Sequence, residues 1–157
     1  MKRASGNFRL FQIISEPEMN QLHSTHMKPV LVVDDEPQIR SLVKALLAND
    51  GLDTIEASDG CSAFATARKL DGEISLLLTD INMPCGLDGL DLAAAVKCTF
   101  PEVPVLVVSS RPSPATDRNS IDPGYEFLNK PFDVRVFAQT VRKLVTQGKS
   151  QVAEQPV

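Results

Sequence analysis

Residues 30–51 read VLVVDDEPQIRSLVKALLANDG, and the way this stretch changes period decides the fold. Val30 to Val33 form a β-branched, uninterrupted apolar run, the signature of a short strand covered on both faces. Two aspartates and a glutamate follow, and then the period switches. Ile39, Leu42, Val43, Leu46 and Leu47 recur at helical spacing on one face. Pro37 suits a first helical position, and Gly51 closes the far end. A strand, a polar turn at its carboxyl end and an amphipathic helix make one β/α unit.

The same alternation continues along the chain. LDTIEA (52–57) predicts a second strand, with a helix opened by Ser58 or Asp59. ISLLLT (74–79) predicts a third strand and GLDLAAAVKCTF (89–100) a third helix. VPVLVV (103–108) predicts a fourth strand and YEFLN (125–129) a fifth. A closing helix over 133–148 carries Val134, Val136, Phe137, Val141, Leu144 and Val145 at apolar positions. Residues 111–123 hold prolines at 112, 114 and 123, so a fourth of about five helices is confined to about 115–121 and is weak. Strands alternating with helices imply parallel pairing and an α/β fold. The expected architecture is a flavodoxin-like, doubly wound five-stranded sheet of order 2-1-3-4-5, with its ligand crevice at the carboxyl ends of strands one and three.

The totals fit one domain. The chain has 157 residues, 43% of them hydrophobic and 23% charged, so one core is affordable and two are not. A net charge of −4 gives no basic field for nucleic acid or an anionic membrane. The apolar runs fall far short of the about 20 residues that span a bilayer. Residues 1–27 read as a loosely ordered N-terminal extension, residues 28–148 as the domain and 149–157 as a polar tail. The extension lacks the uninterrupted apolar core and cleavage site of a signal peptide. His23 and His26 stand without further ligands nearby and read as solvated. Cys61, Cys85 and Cys98 are odd in number with no CxxC spacing, which fits reduced thiols in a cytoplasm.

Polar groups collect where the strands are expected to end. Strand one runs into Asp34 and Asp35, strand three into Asp80 within LTDINMP (78–84), strand four into Ser109 and Ser110, and strand five into Lys130 before Pro131. Each has an ordinary use: acids cap helices, an aspartate forms a turn, a serine ends a strand, a lysine is solvated. All of them at one edge of one sheet is a different matter. Neighbouring carboxylates repel unless a cation sits among them, and oxygen-only ligands suit Mg²⁺ (Mg2+). A lysine and a hydroxyl facing the same point would steady a transferred phosphoryl group.

The set VVDDE, LTDINMP, VVSS and NKPF, in this order, resembles the receiver domain of two-component response regulators over roughly residues 28–147. The resemblance implies that Asp80 is the phosphoacceptor. It implies that Asp35 ligates Mg²⁺ directly, Asp34 through water and Asn82 through its backbone carbonyl. Ser109 then matches the switch hydroxyl, Lys130 the phosphate-pairing lysine, Pro131 the proline usually preceded by a cis bond, and Phe127 the aromatic switch position. Partners implied are a sensor histidine kinase or phosphotransfer protein and a downstream protein, with no direct nucleic-acid contact and with homodimerisation left open. Because no output domain follows residue 148, a stand-alone, cytoplasmic regulator is expected, with slow self-dephosphorylation rather than dedicated enzymatic turnover.

Departures from the family pattern are the loop CGL (85–87), one residue longer than usual, the proline-rich 111–123, and a phenylalanine at 127 in place of the common tyrosine. Arg111, two residues past the switch serine, is expected to tune phosphoryl lifetime. Two other classes stay open. A phosphatase using an aspartyl-phosphate would need a second acid two residues after Asp80, where Asn82 stands. A pseudo-receiver would act as a phosphorylation-independent interaction module.

Overall fold

A computed structural model of the chain describes residues 27–84, 86–110 and 124–150. The expected fourth helix at 115–121, all but the last residue of the extension 1–27, Cys85, Arg111 and the end of the tail lie outside these residues. The elements are β1 (Val30–Val33), α1 (Pro37–Asn49), β2 (Thr54–Ala57), α2 (Gly60–Lys69), β3 (Leu76–Asp80), α3 (Gly89–Thr99), β4 (Val105–Ser109), β5 (Tyr125–Asn129) and α4 (Val134–Ser150). All strand pairs are parallel, and the sheet order is β2-β1-β3-β4-β5, as expected.

The continuous apolar runs are explained by what covers them. Alternate residues of a strand point to opposite faces. Val30 and Val32 face a layer built from Val43 and Leu47 of α1 with Phe137, Val141, Leu144 and Val145 of α4. Leu31 and Val33 face Ala63 and Ala67 of α2 with Leu92, Ala93 and Val96 of α3. Every residue of β1, β3 and β4 is therefore buried. At ~25 cal/mol for each Å² of apolar surface removed from water, this two-sided core is the main force holding the sheet.

Three ladders start two residues later than the sequence pattern suggests. Leu52, Ile74 and Val103 are buried, but they sit in the turns before β2, β3 and β4. The amide of Ile74 donates to the Gly72 carbonyl (2.7 Å) and that of Val103 to the Phe100 carbonyl (3.1 Å). Burial alone made them look like strand. At the opposite end the ladders run one residue further than expected, taking in Asp80 and Ser109. Leu42, Val134 and Val136 are exposed at 50%, 54% and 46% despite their helical spacing, because the apolar stripes of α1 and α4 are narrower than the sequence pattern. The closing helix runs to Ser150, past its expected end at 148.

Helix ends are set by side chains that also steer the chain. Pro37 opens α1, and its N-cap Glu36 makes no side-chain cap bond. Asp59 caps α2 by accepting from the Ser62 amide at 2.8 Å, and Asp88 caps α3 by accepting from the amides of Leu90 and Asp91, each at 2.8 Å. Gly89 follows at once, and its amide donates to the Ile81 carbonyl at 2.9 Å. A Cβ there would overlap the carbonyl of Asp80 and come within 2.8 Å of Ile81 Cα. α3 thus begins pressed against the backbone that leaves β3.

Candidate functional site

The parallel register brings the strand ends to one edge. Val33 pairs with Thr79, Asp80 with Val108, and Ser109 with Asn129, so Asp34, Asp80, Ser109 and Lys130 follow one another across the sheet. One carboxylate oxygen from each of Asp34, Asp35 and Asp80 lies within 4.8 Å of the other two. Asp34 and Asp80 are buried at 4% and 7% exposure, whereas Asp35 faces solvent.

Asp34 is held at every polar atom. Its amide donates to the Ala57 carbonyl (3.3 Å), and its carbonyl accepts from Arg40 Nη1 (2.7 Å). Oδ1 accepts from the Glu36 amide (2.9 Å), and Oδ2 pairs with Lys130 Nζ (3.1 Å). The acids after β1 are therefore spent on the site and its turn, and the helix after them goes without a side-chain cap. Asp80 Oδ1 accepts from the Ile81 amide at 2.8 Å, while Oδ2 lies 3.7 Å from Lys130 Nζ. The Thr79 hydroxyl, fully buried, donates to the Asp80 carbonyl at 2.9 Å.

Lys130 is tied in by its backbone too, its amide donating to the Ser109 carbonyl at 2.7 Å. The Lys130–Pro131 peptide is cis. Ser109 is 1% exposed at the end of β4. Phe127, half-buried, packs against the α2–α3 side of the core and pairs in register with Val107, away from the acids. Asn82 lines an open depression beside the cluster, together with Asp35, Ile81, Met83, Pro84 and Asp88. The cluster thus contains Asp34, Asp35, Asp80 and Lys130, with Ser109 and Asn82 at its rim and Phe127 one step removed.

The Asp80 carboxyl is held above its ordinary value of 3.8. Burial is the main cause; Lys130 opposes it, Asp34 adds to it, and the amides of Ile81 and Asn82 pull the other way. A raised value means that folding favours the protonated form. The stabilising contribution is complete below 3.8 and is lost as pH rises through the folded-state value, so at neutral pH the ionised group is a net cost. Asp80→Asn should therefore raise the melting temperature at pH 7 in the presence of a chelator. Lys130 keeps Asp34 in that variant. About 1 kcal/mol corresponds to roughly 4 °C in a domain of this size. The gain should shrink as the pH is lowered, and thermal unfolding of the two proteins checks it; an equal or lower melting temperature would contradict the cause given.

Among the described residues the site gathers three carboxylates, two of them buried, around one lysine, an excess of negative charge that a small oxygen-seeking cation would relieve. The donor set fits Mg²⁺.

Residues 30–142 match the family described as "Response regulator receiver domain". The chain belongs to that family. The receiver is 37% identical over 122 residues to the nitrogen assimilation regulatory protein NtrX of Azorhizobium caulinodans, the match covering 74% of this chain and 26% of NtrX. It is 33% identical over 123 residues to the transcriptional regulatory protein CpxR of Escherichia coli, covering 78% of this chain and 51% of CpxR. The crystal structure of the receiver domain from the hybrid histidine kinase CckA is 32% identical with a TM-score of 0.62, covering 74% of this chain and 98% of that one. The receiver thus spans from about a quarter to half of these two curated relatives. Among the described residues no helix is long and apolar enough to cross a membrane.

Two contributors to the receiver's acidic edge escaped the sequence pattern. Arg40 lies in the first turns of α1, where the sequence pattern assigns it no role. It turns back to the Asp34 carbonyl. Thr79 reads in the sequence only as the last residue of the third strand, and the structure shows its hydroxyl donating to the Asp80 carbonyl.

Proposed function

We propose that this receiver takes a phosphoryl group onto Asp80 from a histidine kinase or phosphotransfer protein in the cytoplasm, and signals through a change around Ser109 and Phe127. One observation carries the reading: Lys130 Nζ lies 3.1 Å from Asp34 and 3.7 Å from Asp80, beside three carboxylates that converge on one point. Asp34, Asp35, Asp80 and the Asn82 carbonyl are the residues that would hold Mg²⁺. When bound, Mg²⁺ supplies positive charge that offsets the carboxylates and the developing charge on the phosphoryl oxygens.

A carboxylate oxygen of Asp80 attacks phosphorus, the new O–P bond forms as the P–N bond of the donor phosphohistidine breaks, and the electron pair returns to the imidazole. Lys130, already poised between two acids, turns to pair with a phosphoryl oxygen. The Ser109 hydroxyl donates to another, which draws the end of β4 toward the site. The space this opens lets Phe127 shift inward, so phosphorylation biases two states of the β4–β5 edge. Output then depends on recognition of those two states at that edge. Asn82, neutral where an aspartyl-phosphate phosphatase places a second acid, favours storage of the phosphoryl group over rapid turnover.

The test is incubation of the full chain with acetyl phosphate, a small donor that needs no kinase. Intact mass should show a single phosphoryl adduct with Mg²⁺ present and essentially none with excess chelator. No adduct with any donor would favour a phosphorylation-independent interaction module, and rapid multiple turnover would favour an enzyme.

Lys130→Ala should separate binding from switching. Loss of a cation beside Asp34 and Asp80 leaves Mg²⁺ affinity equal or higher, since the site becomes more negative. The phosphorylation-dependent change in amide exchange across Tyr125–Asn129 should nevertheless largely disappear. Unaltered exchange differences in that variant would contradict the role given to Lys130.

A further inference from the structure

We infer that Arg40 is a positioning residue for Asp35, acting through the Asp34 carbonyl; this rests on the metal reading above. Arg40 Nη1 donates to Asp34 O at 2.7 Å, while its Nε lies 3.6 Å from Glu56 Oε1 on β2. The Asp34 carbonyl and the Asp35 amide belong to one rigid peptide plane. Fixing that oxygen therefore fixes the direction in which the chain carries Asp35 away from β1. The Asp34 amide is bound on the opposite side to Ala57, also on β2, so the edge strand grips the turn both directly and through Arg40.

The grip matters because Asp35 is the exposed member of the cluster, whereas Asp34 is held at both carboxylate oxygens. Its carboxylate oxygen reaches within 4.8 Å of those of Asp34 and Asp80 only if its backbone is correctly turned. Arg40 is itself suited to the task, being largely covered and braced by Glu56, with side-chain exposures of 18% and 35%. A guanidinium reaches the two partners from separate nitrogens of one rigid plane, whereas an ammonium must serve both from a single atom.

Charge and geometry predict opposite signs. Removing a cation beside three acids should by Coulomb attraction alone tighten Mg²⁺ binding. Loss of a group that orients a metal ligand weakens it, typically by about 10- to 100-fold. Lys44 supplies the control. It lies on the same helix and pairs with the same Glu56 at 3.3 Å, yet makes no bond to the Asp34–Asp35 turn.

The experiment is calorimetric titration of the full chain with Mg²⁺ at fixed ionic strength, alongside urea unfolding of each variant. Arg40→Gln should weaken Mg²⁺ binding about 10-fold, Arg40→Lys should recover part of that loss, and Lys44→Gln should leave binding equal or tighter. Equal or tighter binding in Arg40→Gln, or the same change in Arg40→Gln and Lys44→Gln, would overturn the proposal while leaving the metal site standing. Absence of saturable Mg²⁺ binding by the wild-type chain would instead overturn the metal reading and the inference with it.

Discussion

Gly89→Ala should cost about 3 kcal/mol of stability, the upper end of what one forced methyl does in a packed interior. The first residue of α3 lies directly on the backbone leaving β3. An added Cβ would overlap the Asp80 carbonyl and come within 2.8 Å of Ile81 Cα. Both obstacles are main chain, so no rotamer change relieves them. α3 must lift, and lifting it breaks the Gly89 amide bond to Ile81 and pulls Leu92, Ala93 and Val96 from the layer they share with β1. The Asp80–Asn82 turn moves with it, so Mg²⁺ affinity should fall as well. Gly51→Ala is the contrast. Gly51 has open space around it but a φ of +70°, so alanine there should cost only about 1 kcal/mol of backbone strain. Urea unfolding of the two variants decides the point. A Gly89→Ala protein no less stable than Gly51→Ala would show that the close approach is not a real constraint.

The alternation of strand and helix was legible because every strand is either covered on both faces or flanked by a strongly periodic helix. The errors came where burial and backbone pairing part company. Leu52, Ile74 and Val103 are buried in turns, and a pattern built on hydrophobicity cannot separate them from ladder residues. Leu42, Val134 and Val136 keep helical spacing yet face solvent, since the spacing marks a stripe without marking its width. At the site, Asp34, Asp35, Asp80 and Lys130 could be gathered from sequence because strand topology alone brings strand ends together. Arg40 could not. Its role depends on a side chain reaching back six residues to a backbone carbonyl, which no pattern of side-chain types announces. Gly89 reads in the sequence only as the first residue of the third helix. That its missing side chain is what admits α3 to the Asp80 backbone is a fact of three-dimensional packing.

Asp80→Asn should abolish phosphorylation outright. The substitution keeps the shape of the side chain and leaves the Lys130–Asp34 pair in place, but it replaces a carboxylate oxygen nucleophile with an amide that cannot form a stable acyl phosphate. Neighbouring acids do not substitute. Asp34 has both oxygens occupied, by the Glu36 amide and Lys130, and Asp35 stands exposed, outside the shelter that Asp80 shares with Ser109 and Lys130. The raised proton affinity of Asp80 sharpens the contrast. Its ionised form is the costly one in the folded chain, so a cation bound among the acids relieves this carboxylate. Asp80→Asn should therefore be better folded without metal and yet inert toward donors, a combination that general damage to the fold does not produce.

The most direct measurement is the intact mass of the wild-type chain and of Asp80→Asn after incubation with acetyl phosphate and Mg²⁺, followed by peptide mapping of any adduct. The account predicts one phosphoryl group on the wild-type protein, carried by the peptide that contains Asp80, and none on the variant. An adduct of equal yield on Asp80→Asn, or one mapping to another residue, would contradict it.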